Sequence, residues 1–309
     1  MSAWSLLAAT AAAFNAPPLL RGSRASSIAM VESSSSALLD RSLLAAHACS
    51  LAFLPPVAVA SSPYAQTIQF VDQFEDPRSL SGATLLSSNG EVILACRGSA
   101  NAKNFQTNFN VGPAALESAS GSVVSDDARV HAGFQRAAQQ LWKRIEPRIP
   151  VGTTKLLMTG HSLGGGTATL LALYAEAAGF EPELVTVAGP RLGNAAFGSY
   201  FRSRCPPAIH LIHNDDEVLK SNAKLWDDLG FEHVGRVVPC AKDSPCVYDG
   251  DDEMCLALAE AIAPSEVSLR GVLVDHCNYM GCYIGVRAQH PSVWFRRPPG
   301  YPSFLPFPF

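Results

Sequence analysis

The stretch KLLMTGHSLG, residues 155–164, is the most informative part of the sequence. Its first half is a short apolar run that predicts a strand over residues 155–159. Residues 162–178 predict a helix, which the glycine at position 179 ends. The pentapeptide Gly160-His161-Ser162-Leu163-Gly164 therefore lies where a strand turns sharply into a helix. Such a turn needs residues without bulk beside the serine, and it projects the serine hydroxyl above the edge of the sheet. The stretch predicts a nucleophilic serine at the end of a strand.

Strand and helix patterns alternate along the chain around this turn. Asn89-Gly90 lies between two apolar runs and predicts a β-hairpin. Apolar residues at helical spacing predict a helix over residues 134–145. Downstream we expect a strand at 183–188, a helix at 194–202 and a strand at 208–213. Repeated strand–helix–strand units predict a mostly parallel sheet covered by helices on both faces, which is an α/β fold.

Composition and charge narrow the class of protein. The chain has 309 residues, of which 16% are charged, against roughly 25% in an average soluble protein. A net charge of −4 leaves no basic stripe that could neutralise phosphates, so nucleic acids are not expected as partners. The sequence has no run of 18 or more apolar residues, and we therefore expect no transmembrane segment.

The low charge is concentrated in residues 1–60, which contain five of the 50 charged residues. An apolar start is followed by a stretch that contains Ser and Arg, and then by the apolar run 43–54. Ala58-Val59-Ala60 is similar to a signal cleavage site. The order, with Phe14 after the first apolar segment, resembles the two-part address of algae with complex plastids. We therefore expect a plastid protein, with the thylakoid lumen as a further destination, and a single secretory leader is the alternative.

These patterns divide the chain into three parts. We expect residues 1–60 to be a disordered leader that is cleaved. Residues 61–290 are expected to form the globular domain, which is large enough to bury a full core. Residues 291–309 are rich in Pro and aromatic residues and are expected to form an irregular tail.

A serine hydroxyl needs a base, and the base needs a carboxylate that fixes its tautomer. In hydrolases of this fold the order along the chain is serine, carboxylate, histidine. For His210 and His213, in or at the end of a predicted strand, a packed or hydrogen-bonded side chain is expected. His276 follows a short apolar run, where a loop can present it to the serine. Asp215 and Asp216 both follow the strand over residues 208–213 and are the candidate acids.

Several segments resemble the fungal-type triacylglycerol lipases, the class 3 lipase family, over about residues 64–290. The matching segments are Cys96-Arg97-Gly98-Ser99, Val130 to Phe134, Gly160 to Gly165, Ala188 to Asn194, Asp216-Glu217-Val218, His233-Val234-Gly235 and Asp275 to Tyr279. The resemblance implies an α/β-hydrolase fold and a carboxylic ester hydrolase. The family usually has Phe at the position of Cys96.

The resemblance also assigns roles to single residues. It implies that Ser162 is the nucleophile and that Ser99 and the Leu163 N–H are the oxyanion-hole donors. His276 is the implied base, within the pattern Asp-His-x-x-Tyr. Asp216 fits the family's Asp-x-Val pattern for the acid and is preferred.

One alternative acid and two structural residues complete this assignment. Asp215 remains an alternative acid, although it would misplace the valine of the pattern by one position. His131 and His233 are implied to be structural.

Phe105 and Phe109 are four residues apart in the segment where the family has a short amphipathic lid. Both would share one helix face, which could open onto lipid and expose a groove for the acyl chain. The alternative is that the two side chains belong to the core.

The expected reaction is hydrolysis of acyl esters of glycerolipids, that is, acylglycerols, galactolipids or phospholipids, through an acyl-enzyme. We expect no metal and no organic cofactor. The expected partner is a lipid or ester substrate at a membrane or lipid interface. A soluble esterase acting on small or polysaccharide-linked esters, and a non-catalytic binding protein, are the alternatives.

Overall fold

The computed structural model describes residues 21–60, 62, 64–76, 81–98, 112–205, 207–213, 216–247 and 275–285. The chain forms two compact units, Met1–Leu38 and Leu39–Phe309. In the first unit, the described residues are helical. All other elements belong to the second unit.

The elements follow the alternation that the sequence predicts. In chain order they are α1 (Arg21–Leu51), α2 (Pro56–Ala60), β1 (Gln69–Asp76), β2 (Ser81–Ser88), β3 (Glu91–Arg97), β4 (Pro113–Glu117), β5 (Val123–His131), α3 (Ala132–Ile145), a short 3-10 helix (Glu146–Arg148), β6 (Lys155–His161), α4 (Leu163–Ala177), β7 (Glu181–Val187), β8 (Gly193–Asn194), α5 (Ala195–Arg204), β9 (Ala208–Ile212), α6 (Glu217–Asp228), β10 (Phe231–Glu232), β11 (Arg236–Pro239), β12 (Asn278–Tyr279) and β13 (Cys282–Tyr283).

The main sheet has seven strands within the described residues, in the order β1-β2-β3-β6-β7-β9-β11. Strands β3, β6, β7, β9 and β11 run parallel, and β1 and β2 extend the sheet antiparallel. Helices flank this sheet, so the predicted α/β-hydrolase fold is confirmed. A second sheet has the order β10-β8-β5-β4, and β12 and β13 form a hairpin.

The centre of the domain explains why the sequence folds in this way. Residues 156–161 of β6 are all buried, which suits a strand in the middle of a parallel sheet. The following helix, α4, is buried over residues 163–175 and is accordingly apolar on nearly all sides. The Asn89-Gly90 hairpin is also confirmed, because both residues have the positive φ, 48° and 81°, that a tight β-hairpin turn requires.

The larger unit begins before residue 61, the expected start of the globular domain. The larger unit begins at Leu39, and residues 39–60 pack within it instead of forming a disordered segment. The side chains of Ala45, Ala46, Ala48, Cys49 and Leu51 are fully buried. The mostly apolar run at residues 43–54 is about as long as a signal core but equally suited to a buried core helix, and its residues 43–51 form the end of α1.

Polar contacts fix this helix to the sheet. The Arg41 guanidinium bridges Glu91 of β3 at 2.5 Å and Glu183 of β7 at 2.6 Å. Further along the helix, the Cys49 sulfur lies 3.2 Å from the Thr159 hydroxyl of β6. The predicted cleavage site also lies in a helix, α2, with Val59 buried. Segment 39–60 is therefore a structural part of the larger unit.

None of the helices in the described part of the chain is both long enough and apolar enough to cross a membrane. The expected tail, residues 291–309, lies outside the described residues.

Candidate active site

Ser162 occupies the sharp turn between β6 and α4. Its φ of 57° and ψ of −128° are rare for a residue with a side chain, and they mark a strained backbone. The Ser162 N–H donates to the Val187 carbonyl at 3.0 Å, and the Gly165 N–H donates to the Ser162 carbonyl at 2.8 Å. The surrounding structure thus holds the strained serine in place, as a nucleophile elbow requires.

The glycines of the pentapeptide are required by close backbone contacts. A Cβ on Gly160 would overlap the Gly164 carbonyl, and a Cβ on Gly164 would overlap the Cys96 carbonyl. The latter contact brings the end of β3 against the start of α4. At the same place, the position of a Cβ on Gly98 is 3.5 Å from the Leu163 amide nitrogen. The residue before Ser99 therefore lies beside the elbow, whereas Ser99 itself lies outside the described residues.

Asp216 lies at the other side of the site, at the start of α6. Its side chain is 1% exposed and caps the helix, because Oδ1 accepts hydrogen bonds from the Val218 and Leu219 N–H groups at 3.1 and 3.3 Å. A buried carboxylate needs such donors to remain ionised. The competing candidate, Asp215, lies outside the described residues.

His276 contacts Asp216 directly. Its Nδ1 is 3.0 Å from Oδ1 and 2.9 Å from Oδ2 of the carboxylate. Since an ionised carboxylate only accepts, Nδ1 carries the proton and donates, which leaves Nε2 as the basic nitrogen of the ring. The hydroxyl of Tyr279 donates to Oδ2 at 2.5 Å. The Asp216 carboxylate is thus held by the His276 ring, a phenol and the start of a helix.

The electrostatics of the pair follow from this geometry. Burial opposes ionisation of Asp216, but its charge interaction with His276 and the hydrogen bonds from His276 and Tyr279 outweigh burial and lower its pKa to about 2. Burial, reinforced by the neighbouring carboxylate charge, raises the pKa of Tyr279 well above its usual range. The carboxylate is therefore ionised, and the phenol remains protonated as its donor.

Two more histidines contact the segment that carries His276. The His161 Nε2–H donates to the His276 carbonyl at 2.7 Å, and the two ring centroids are 4.8 Å apart. The His213 Nε2–H donates to the Asp275 carbonyl at 2.9 Å. Burial, together with the charge of His276, lowers the pKa of His161 to about 3, so this ring is neutral. Since His161 precedes Ser162, its contacts place the His276 segment beside the turn at Ser162.

The hairpin of β12 and β13 attaches the His276 segment to the rest of the domain. Met280 and Gly281 form its turn with positive φ angles of 54° and 75°. Their N–H groups donate to the Ala241 and Lys242 carbonyls at 2.8 and 2.9 Å. From α1, the Ser50 hydroxyl donates to the Tyr283 carbonyl at 2.8 Å. Segment 39–60 thus also supports the hairpin beside the base.

Among the predicted site residues, Asp216 and His276 are in direct contact, and His276 lies against His161, which directly precedes Ser162 and Leu163. Ser99, Phe105 and Phe109 lie outside the described residues. No site role was expected for Tyr279, His161 or His213. For Tyr279 the signal was present, because it is the tyrosine of the Asp-His-x-x-Tyr pattern. For the two histidines the sequence offered only their positions. His161 directly precedes Ser162, and His213 directly follows β9.

The other histidines have contacts elsewhere. His131 caps α3, accepting at Nδ1 from the Gly133 and Phe134 N–H groups. His210 is buried, bonds the Thr186 hydroxyl at 2.7 Å, and its ring centroid is 4.6 Å from that of His233. Among the described residues, no group of three or more His, Cys, Asp or Glu side chains could hold a metal ion.

Part of the chain is similar to known proteins. Residues 93–225 match the family model of Lipase (class 3). The chain is 33% identical over 144 residues to the secreted mono- and diacylglycerol lipase 1 of Fusarium solani, which covers 44% of this chain and 41% of that protein. The chain spans less than two thirds of the length of the curated relatives it matches.

Solved structures share the fold. Lipase II from Rhizopus niveus superposes with a TM-score of 0.64 at 20% identity, over 81% of this chain and 97% of that one. A triacylglycerol lipase described as having a serine protease triad superposes with a TM-score of 0.60 at 21% identity, over 80% and 95%. Residues 93–225 are thus similar to the class 3 lipases, and the chain shares its fold with solved lipase structures.

Proposed function

We propose that the protein is a serine carboxylic-ester hydrolase that cleaves acyl esters of glycerolipids. The observation that carries the proposal is the buried Asp216–His276 pair, whose base lies against His161, the residue before the strained Ser162. A strained serine, an ionised carboxylate and an imidazole, in this order along the chain, are the parts that acyl transfer needs.

The reaction follows from these parts. His276 accepts the Ser162 proton at Nε2 while the serine oxygen attacks the ester carbonyl. The resulting imidazolium is stabilised by Asp216 and returns the proton to the leaving alcohol, which leaves an acyl-enzyme. Water, activated by the same base, then releases the fatty acid. Tyr279 keeps the carboxylate ionised and oriented during both steps.

The tetrahedral oxyanion needs donors, and two are proposed. The Leu163 N–H lies at the start of α4, where the partial positive charge of the helix also favours an anion. Ser99 is the proposed second donor, and the placement of Gly98 against the Leu163 nitrogen supports this assignment. Loss of one such donor costs roughly 3 kcal/mol of transition-state stabilisation in other hydrolases.

We propose acylglycerols as the first substrate class, since the Fusarium relative is described as a mono- and diacylglycerol lipase. Galactolipids and phospholipids are further candidates, which differ in head group and share the same acyl ester. Phe105 and Phe109 remain the proposed lid, and the proposed working site is a lipid interface.

We propose that the targeting sequence is confined to residues 1–38. Because residues 41–60 form part of the larger unit, a lumen-transfer signal within them is no longer part of the proposal. Secretion is favoured by the description of the Fusarium relative as secreted. A plastid destination rests on the leader sequence alone.

The test is an assay of the full chain on triacylglycerol, diacylglycerol, galactolipid, phospholipid and a short-chain nitrophenyl ester. We expect hydrolysis of acylglycerols, with a rate that rises when the substrate forms an interface. The Ser162→Ala variant should lose hydrolysis of every ester and retain its fold. Ser203→Ala, which changes an exposed serine on α5, is the matched control. Undiminished hydrolysis by Ser162→Ala would contradict the proposal.

A further inference from the structure

Two buried histidines donate to consecutive carbonyls of the segment that carries the base. His161 and His213 are each 3% exposed, and their Nε2–H groups donate to the His276 and Asp275 carbonyls at 2.7 and 2.9 Å. Neither hydrogen bond is part of the contact between the Asp216 carboxylate and the His276 ring. Both bonds act on the backbone of the base and not on its ring.

The position of these histidines along the chain is specific. His161 ends β6 and directly precedes Ser162. His213 directly follows β9, and its carbonyl accepts a hydrogen bond from the Asp216 N–H at 3.2 Å. The strand that carries the nucleophile and the strand that leads to the acid therefore each supply one imidazole. The backbone of the base is held from both sides.

This arrangement matters because His276 is far in sequence from Ser162 and Asp216. Residues 275–285 form a short helical turn and a small hairpin, outside the main sheet. The His276 side chain is oriented by Asp216, but that contact alone does not fix where the backbone lies. Two hydrogen bonds to the adjacent carbonyls of residues 275 and 276 fix the peptide planes there, and thereby the position from which the His276 side chain projects.

We propose that His161 and His213 are positioning residues that hold the backbone of residues 275–276, so that His276 lies at the correct distance from Ser162. The proposal rests on the proposed serine ester hydrolase. An imidazole suits this role since it is rigid, packs against its neighbours and donates one directed hydrogen bond. His161 packs on the His276 ring, and His213 packs on the Tyr279 ring with centroids 4.2 Å apart.

The first experiment compares variants of the full chain on a soluble short-chain ester. His161→Phe and His213→Phe keep a ring and remove the donor, whereas His161→Gln and His213→Gln keep an N–H near the same position. We expect each Phe variant to lower kcat about tenfold to a hundredfold with KM within about twofold, because a base displaced by about 1 Å has this effect. The Gln variants should recover at least part of the loss.

The control is His210→Phe. His210 lies on β9, is as deeply buried as His213, and bonds Thr186 instead of the segment that carries the base. We expect kcat of this variant to remain within about threefold of the wild type. A loss of kcat in His210→Phe equal to that in His213→Phe would overturn the proposal, since burial of a ring would then explain both.

A double-mutant comparison tests whether the histidines act through the base. In a His276→Ala background, His161→Phe and His213→Phe should cause no further loss of the residual rate. A further loss as large as in the wild type would overturn the proposal.

A measurement on the unmutated protein does not depend on how well a variant folds. The ¹⁵N spectra of labelled histidines report which ring nitrogen carries the proton. The proposal requires the Nε2–H form of both His161 and His213, and an Nδ1–H form of either would overturn it. Failure of the proposed function can be distinguished from failure of the positioning proposal. If the protein is not an ester hydrolase, the wild-type chain hydrolyses no ester while the spectra still show the Nε2–H form of both histidines.

Discussion

Replacement of Tyr279 by Phe removes one hydrogen-bond donor from the buried Asp216 carboxylate. The phenol donates to Asp216 Oδ2 at 2.5 Å, and both residues are almost completely buried. The change leaves the ring in place and creates almost no cavity. Its effect should therefore report on the hydrogen bond to the carboxylate alone.

The size of the effect can be worked out from the charge of Asp216. Its pKa is about 2 in the folded protein against an ordinary value of 3.8, which corresponds to about 2 kcal/mol of stability. Since the folded pKa is depressed, this stability is present above about pH 4 and is lost as the pH falls through about 2. His276 lowers the pKa of Asp216 more than Tyr279 does, but the phenol still donates a hydrogen bond to a charged group, and such a bond contributes roughly 1.5–3 kcal/mol.

We therefore expect Tyr279→Phe to lower the free energy of unfolding by about 1–2 kcal/mol at pH 7, with the loss shrinking below pH 3. The less well oriented carboxylate should lower kcat by about 5- to 30-fold, equivalent to about 1–2 kcal/mol in the barrier. Urea unfolding and kcat on a soluble ester measure the two quantities. Tyr174→Phe is the control, because the buried Tyr174 hydroxyl has no hydrogen-bond partner among the described residues. The reasoning is refuted if Tyr279→Phe matches Tyr174→Phe in both measurements.

Three further predictions concern the elbow, segment 39–60 and the proposed lid. Gly164→Ala should lower the free energy of unfolding by about 2–4 kcal/mol in urea titrations, because the new Cβ meets the Cys96 carbonyl; a change below about 0.5 kcal/mol would contradict this. Removal of residues 1–38 should leave a cooperative thermal transition, whereas removal of residues 1–60 should abolish it by exposing the surface that α1 covers; equal melting curves would refute the account of that segment. The double variant Phe105→Ser and Phe109→Ser should lower activity on dispersed triacylglycerol relative to a soluble ester, and an unchanged ratio would remove the lid from the proposal.

The elbow and the order of the strands could be predicted because local rules determine them. Gly160 and Gly164 are required by backbone contacts within one turn and its neighbouring strand, and the apolar run before them suits a buried parallel strand. Asn89-Gly90 likewise determines its turn without help from distant residues. Such features are present in a few adjacent residues and are therefore visible in the sequence.

The first helix of the larger unit could not be identified in this way. The apolar run at residues 43–54 has the length and composition of a signal core and equally of a buried helix. What distinguishes the two is the tertiary structure, where Arg41 meets Glu91 and Glu183 from two separate strands. These three residues are far apart in sequence, and no local pattern connects them.

The supporting residues of the site were missed for the same reason. His161 and His213 looked like ordinary residues at strand ends, and their partners are the carbonyls of residues 275 and 276. A backbone carbonyl leaves no signature in the sequence. The order of Ser162, Asp216 and His276, by contrast, follows from the chemistry that a serine nucleophile requires.

The central claim is that Ser162, His276 and Asp216 act together in acyl transfer. Mass spectrometry of the full chain after reaction with a fluorophosphonate tests it most directly. The account predicts one adduct, on the peptide that contains Ser162, with a labelling rate that falls about a thousandfold or more in His276→Ala and Asp216→Asn. An adduct on another residue, or equal labelling rates in the wild type and both variants, would contradict it.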